Sequence, residues 1–162
     1  MEHNSTICSS TECIINTEGF FHNNGIDYYE GYLRLCKPYE VAIREMEYRI
    51  ELISKELETQ NQPNPFWVVK SRLKSPESII NKLIRNGIEC NPQSAKINLT
   101  DIAGVKVICR YLDEVYLMEE LLRLQEDISI VRKTDYIKNP KPNGYRSVHI
   151  IAMVPVFVVK DF

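Results

Sequence analysis

No run in this chain approaches the roughly eighteen consecutive apolar residues that a membrane-spanning helix requires, so a bilayer-crossing segment is not expected. Residues 1–17 are polar and carry no hydrophobic signal core, and a cytoplasmic location is therefore expected. Cysteine is sparse and scattered, at Cys8, Cys13, Cys36, Cys90 and Cys109, with no CxxC pair that could open a zinc or redox motif. The thiols should be reduced and unpaired. Charge of one sign is lacking too: the formal net charge is −2, which points neither to a strongly basic nucleic-acid binder nor to an acidic tail. There is no GxxxxGK[ST] segment, so a P-loop is excluded, and neither an internal repeat nor a low-complexity tract is present.

What is present suits one buried core. A chain of 162 residues with 44% apolar side chains has the size of a single domain. Its charges are unevenly placed: residues 1–63 hold eleven acidic and five basic side chains, whereas residues 64–110 hold three acidic and eight basic. Residues 1–25 are rich in Asn, Ser, Thr, Glu and Gly without a sustained apolar period, and read as a disordered polar tail ahead of a domain over 26–162.

From Pro38, the residues Tyr39, Ala42, Met46, Ile50, Ile53 and Leu57 recur at steps of three and four, which predicts a helix starting near the proline and ending before Asn61-Gln-Pro-Asn-Pro. Phe66-Trp-Val-Val runs into Lys70-Ser-Arg-Leu-Lys-Ser, a strand whose period of two puts Lys70, Arg72 and Lys74 on one face. Ser75 as N-cap, Pro76 at the first helical position and Glu77 in the first turn then open a helix with Ile79, Ile80 and Leu83 inward. After a polar connection, residues 102–109 read as a buried strand and residues 113–125 as a helix with Val115, Met118, Leu121 and Leu122 inward. A short strand over 128–131, a polar loop over 132–144 and a strand over 145–159 complete an α/β or closely interleaved α+β layer.

Three groups could carry chemistry. Arg72, Lys74, Ser78 and Lys82 place cations at a strand end and a hydroxyl and a further cation on the helix that follows, which together with the free N–H groups at the helix start can hold a polyphosphate, although a solvated basic face would have the same composition. Asp101, just before a strand, can hold Mg²⁺ against phosphates, or can simply be a turn residue. Lys141-Pro-Asn-Gly-Tyr-Arg-Ser-Val-His lies where Arg132, Lys133, Lys138, Lys141 and Arg146 outnumber Asp135; Tyr145 could stack on a base while Lys141 meets phosphate. A hairpin loop with an edge tyrosine is the plain alternative, and His149, on the same side as Tyr145, fits either a pocket or a hydrogen-bonded strand.

In their order, residues 70–80, 101–109 and 135–149 resemble the synthetase domain of the RelA/SpoT family, nearest in pattern to the small alarmone synthetases. The resemblance implies a nucleotidyltransferase-like fold, a mixed β-sheet flanked by helices, and a GTP pyrophosphokinase that moves pyrophosphate from ATP to the 3′-hydroxyl of GDP or GTP, making (p)ppGpp. It further implies that Arg72, Lys74, Ser78, Lys82 and Lys106 bind ATP. Asp101 would bind Mg²⁺ and share the catalytic role with Arg72 and Lys74. Lys141, Asn143, Tyr145 and His149 would form the acceptor site, with Tyr145 on guanine. Complete family members also imply a homo-oligomer.

Departures accompany the match. Lys106 stands where an arginine is common, and keeps charge without the planar stacking surface. Thr134 stands where a cation commonly precedes Asp-Tyr-Ile. The family pattern continues into a Glu-Val-Gln-Ile-Arg-Thr-like segment, whose glutamate the resemblance implies completes the metal and base site, and this sequence ends at Asp161-Phe162 without it. On that basis the chain alone is expected to make little product, since lost general-base assistance costs about 10²- to 10⁴-fold. Two other readings use the same residues: a nucleotide-binding or regulatory protein without turnover, and a module whose basic, tyrosine-bearing loop meets single-stranded RNA.

Overall fold

The computed structural model describes residues 28–157. In chain order it has α1 (Tyr28–Thr59), β1 (Phe66–Leu73), α2 (Pro76–Arg85), α3 (Pro92–Asn98), β2 (Ala103–Cys109), α4 (Leu112–Arg123), β3 (Ser129–Asp135) and β4 (Val148–Met153). The polar tail expected over 1–25 lies outside the described residues.

Helix α1 begins ten residues before the proline expected to open it, and Pro38 sits inside. Proline removes one helical hydrogen bond and crowds the preceding turn. Packing on both sides of it offsets that cost: Leu35 and Tyr39 join the same apolar cluster, and Ile43 is buried one turn further on. The stripe read from the sequence runs along two cores. Its start meets Ile79, Leu83, Ala95, Leu99 and Ile102, and Ile50, with Met46 and Ile53 beside it, meets Phe66, Met118, Leu122 and Ile128.

Helix α2 begins as its sequence dictates. Ser75 Oγ accepts from the Ser78 N–H, Pro76 occupies the first turn, and Gly87 supplies the φ of 65° that turns the chain beyond its end. The connection that follows is not merely polar. Asn91 caps α3 by accepting from the Ser94 N–H, and Pro92 starts it; the cap-plus-proline signal was in the sequence, but seven residues are too few to show a period.

The strands form two antiparallel pairs, β1 with β2 and β3 with β4, where the resemblance implied one mixed sheet. Side chains link the pairs: Val105 and Val107 of β2 share a core with Ile150 and Ala152 of β4. Strand β3 runs on to Asp135, through residues expected to be loop, because Lys133 and Thr134 pair with Ile150 and His149. Strand β4 is shorter than expected. Its partner strand ends at Asp135, and Pro155, which has no N–H to donate, follows soon after it.

Leu83 is 1% exposed at the centre of the first core. Leu83→Ala is expected to destabilise the fold by about 2–5 kcal/mol, read as a lowered urea midpoint with an unchanged slope.

Candidate nucleotide site

Strand β1 delivers its cations to one end of α2. Lys74 follows the strand directly, and its N–H bonds to the Ile102 carbonyl, which brings the start of β2 alongside. Asp101 therefore lies against both lysines: Lys74 Nζ is 2.9 Å and Lys82 Nζ 2.7 Å from Asp101 Oδ2. Burial would raise the Asp101 carboxyl, but hydrogen bonds from Lys82 and Lys74 outweigh it and hold the group below its ordinary value of 3.8. Its other oxygen, Oδ1, is buried and has no protein hydrogen-bond partner. The lysines are largely covered, with 14% and 26% of their side chains exposed, so this is a built charge cluster and not a solvated basic face.

The remaining residues of the first group lie nearby with different surroundings. Arg72 is paired with Gly104, where an added Cβ would stand 3.9 Å from the arginine Cγ. Lys70 is paired with Lys106, which sets two like charges opposite each other on the face that also carries Arg72. Such a pair destabilises an empty ladder and favours an anion shared by the two ammonium groups on that face. Ser78 is exposed, and its hydroxyl accepts a 3.1 Å hydrogen bond from Ser75.

No group of three or more His, Cys, Asp and Glu side chains converges as a metal cage among the described residues. Mg²⁺ does not require one: it commonly takes one or two protein carboxylates and completes its shell with water and phosphate oxygens. The unpartnered Oδ1 of Asp101 is a hard oxygen donor of that kind.

The second group is assembled by the β3–β4 hairpin. Asp135 Oδ1 accepts from the N–H groups of Ile137 and Lys138, folding the loop back. The turn over Lys141-Pro-Asn-Gly closes with the Gly144 N–H donating to the Lys141 carbonyl, and Gly144 takes a φ of 78° that other residues rarely adopt. Asn143 accepts from the Tyr145 N–H at 3.2 Å. Tyr145 and His149 meet, as their alternation predicted, through a 2.8 Å hydrogen bond between the phenol oxygen and Nε2. Ser147 is not part of this contact, since its hydroxyl turns to the Val148 carbonyl.

Sequence reasoning missed Tyr136. Its ring stands edge-on to Tyr145 at 6.0 Å and to His149 at 5.2 Å between centroids. Lys141 Nζ lies 4.6 Å from its centroid and 5.3 Å from that of Tyr145. The available signal was register: the Tyr136 N–H bonds to the Ser147 carbonyl, so the tyrosine continues the face of Thr134 and His149. Behind the hairpin, buried Glu119 of α4 accepts from Arg123 and pairs with Lys133 of β3. Burial would raise the Glu119 carboxyl, yet Lys133 and Arg123 hold it below its ordinary 4.5.

A basic strand-to-helix junction around one carboxylate and a cation–aromatic hairpin thus stand on the same small domain of the α/β class. Comparison makes this specific: residues 71–159 match the region found in RelA/SpoT proteins, and the chain belongs to the RelA/SpoT family. It is 42% identical over 118 residues to the GTP pyrophosphokinase YwaC of Bacillus subtilis, covering 73% of this chain and 56% of that protein. It is 30% identical to the GTP pyrophosphokinase YjbM of the same organism, covering 78% of this chain and 58% of the relative. The chain thus spans a little over half the length of these relatives. Its fold matches Bacillus subtilis small alarmone synthetase 1 bound to its product pppGpp, with a TM-score of 0.71 and 29% identity over 79% of this chain and 64% of that one. It matches small alarmone synthetase 2 of the same organism with a TM-score of 0.69 and 39% identity, over 80% of this chain and 65% of that one.

Asp101 and Glu119 both titrate below their ordinary values, so on acidification the unfolded chain takes up these protons first. The stability they supply is present at neutral pH and fades as pH falls below about 4.5 and on through the folded-state values. Asp101→Asn is expected to lower the urea midpoint at neutral pH, because it leaves Lys74 and Lys82 facing each other, and to lose less than the parent chain when both are acidified. Parallel unfolding curves at neutral pH and near pH 3 test this.

Proposed function

We propose that this chain contributes the nucleotide-binding face of a GTP pyrophosphokinase, which transfers pyrophosphate from ATP to the 3′-hydroxyl of GDP or GTP. Residues 26–162 are its synthetase-type portion. The observation that carries the reading is the Asp101 carboxylate held by Lys74 and Lys82 with its second oxygen unpartnered. Family membership supports assigning that chemistry to the cluster.

Arg72, Lys74, Ser78, Lys82 and Lys106 take the donor nucleotide. Lys74 and Lys82 spread positive charge over the transferring group, and Arg72 offers its planar, two-pronged donor set either to phosphate or to the adenine face. Asp101 holds Mg²⁺, which when bound neutralises charge on the donor phosphates. Lys141 meets the acceptor's phosphates, Asn143 shapes the turn beneath them, and Tyr145, steadied by His149, offers its ring to guanine. Catalysis of this type rests on positioning and charge stabilisation. The use of ATP and GTP would suit a cytoplasmic location; no described helix is long and apolar enough to cross a membrane. The homo-oligomer that the family resemblance implies is part of the same reading. The hairpin's cations would also attract single-stranded RNA, which a salt-dependent oligonucleotide titration reads separately.

Calorimetric titration with GTP and with α,β-methylene ATP, with and without Mg²⁺, tests the reading. Both nucleotides should bind, and Mg²⁺ should strengthen the ATP analogue in the parent chain but not in Asp101→Asn. Tyr145→Ala should weaken GTP by about 1–3 kcal/mol and leave the analogue unchanged. Where labelled ATP and GDP yield a guanosine tetraphosphate, Asp101→Asn should cut the rate about 10²- to 10³-fold. A chain that binds neither nucleotide sinks the proposal.

A further inference from the structure

The reading above leaves Tyr136 without a role, although its ring touches Lys141, Tyr145 and His149, three of the four residues given to the acceptor nucleotide. Tyr136 is itself only half-exposed, whereas those three are exposed. It is therefore the part of the cluster that the fold holds most firmly. Its place is set by backbone at the root of the loop: the Tyr136 N–H bonds to the Ser147 carbonyl, and Asp135 beside it caps the following turn.

Lys141 has two aromatic faces to choose between. Its ammonium stands closer to the Tyr136 centroid, 4.6 Å against 5.3 Å for Tyr145. A purine stacking on Tyr145 must displace any cation that covers the face it uses. A lysine that had only Tyr145 to lean on would compete with the base, and a lysine with no ring at all would lose its position beside the phosphates. We propose that Tyr136 is a positioning residue for the acceptor nucleotide: its ring anchors Lys141 by a cation–π contact and so leaves Tyr145 free to stack. This inference rests on the pyrophosphokinase reading and adds to it the residue that separates the base-binding ring from the phosphate-binding cation.

The ring and not the hydroxyl makes these contacts, so two variants divide the possibilities. Tyr136→Phe keeps the ring and should bind GTP within about twofold of the parent chain, whereas Tyr136→Leu should weaken GTP on the order of tenfold, as the loss of a partly desolvated cation–π contact implies. Neither should alter binding of α,β-methylene ATP. The effect should also run through the lysine: in a Lys141→Met background, Tyr136→Leu should cost GTP little further, giving a clear coupling in a double-mutant cycle.

Calorimetry on the four proteins and the parent reads all of this, with circular dichroism melts alongside. Equal losses for GTP and the ATP analogue in Tyr136→Leu would mean that the tyrosine only supports the fold, and would overturn the inference. So would additive losses in the cycle, or GTP binding by Tyr136→Leu equal to that of the parent. A parent chain that binds neither nucleotide removes the functional reading and this inference together, while a parent that binds both and a Tyr136→Leu that matches it removes the inference alone.

Discussion

The clasp of Lys74 and Lys82 on one oxygen of Asp101 is the constraint around which the site is organised. It ties the end of β1, the last turn of α2 and the approach to β2 to a single point. Two ammonium groups so close together, and so well covered, need a counter-charge. The carboxylate supplies it and is in turn kept ionised against the cost of its own burial. The surrounding core makes the geometry rigid. Ile102 follows Asp101, Leu83 follows Lys82, and both are about as buried as any residue described. Each charged group is thus joined in sequence to an apolar anchor, and hydrophobic packing sets the position of the charges.

The hairpin site is built on a different principle. Here the cations lie over aromatic rings, and the loop's shape comes from backbone hydrogen bonds and side-chain caps, not from burial. Its base is held to the rest of the molecule in two ways: Ile150 and Ala152 of β4 pack into the second core, and buried Glu119 of α4 draws in Lys133 of β3 while Tyr116 of the same helix donates to Asp135. A hairpin held at its base and open at its tip keeps exposed side chains aligned while leaving them accessible to a ligand.

Much of this was legible in the sequence because it was local. Ser75-Pro76-Glu77 announced α2 through capping and dipole chemistry alone, and the helix starts there. The approach of Lys74, Lys82 and Asp101 was foreseen from a motif pattern; no periodicity could have shown it, since the carboxylate comes 27 residues after the first lysine. What escaped detection was set by tertiary context. Helix α1 runs past Pro38 because an apolar core rewards the extra turns, and β3 runs into polar residues because β4 pairs with them. Tyr136 was passed over because an aromatic beside a polar loop carries no signal until strand register reveals what it faces.

Lys70 opposite Lys106 has a consequence for the dynamics of the β1–β2 ladder. Repulsion between the two ammonium groups weakens that ladder where the donor nucleotide is read to bind, so local opening is favoured there while the site is empty. An anion shared by the two ammonium groups turns the weak point into a bridge. Amide hydrogen exchange along β1 would then slow on occupancy, making the backbone itself a gauge of whether the cleft is filled.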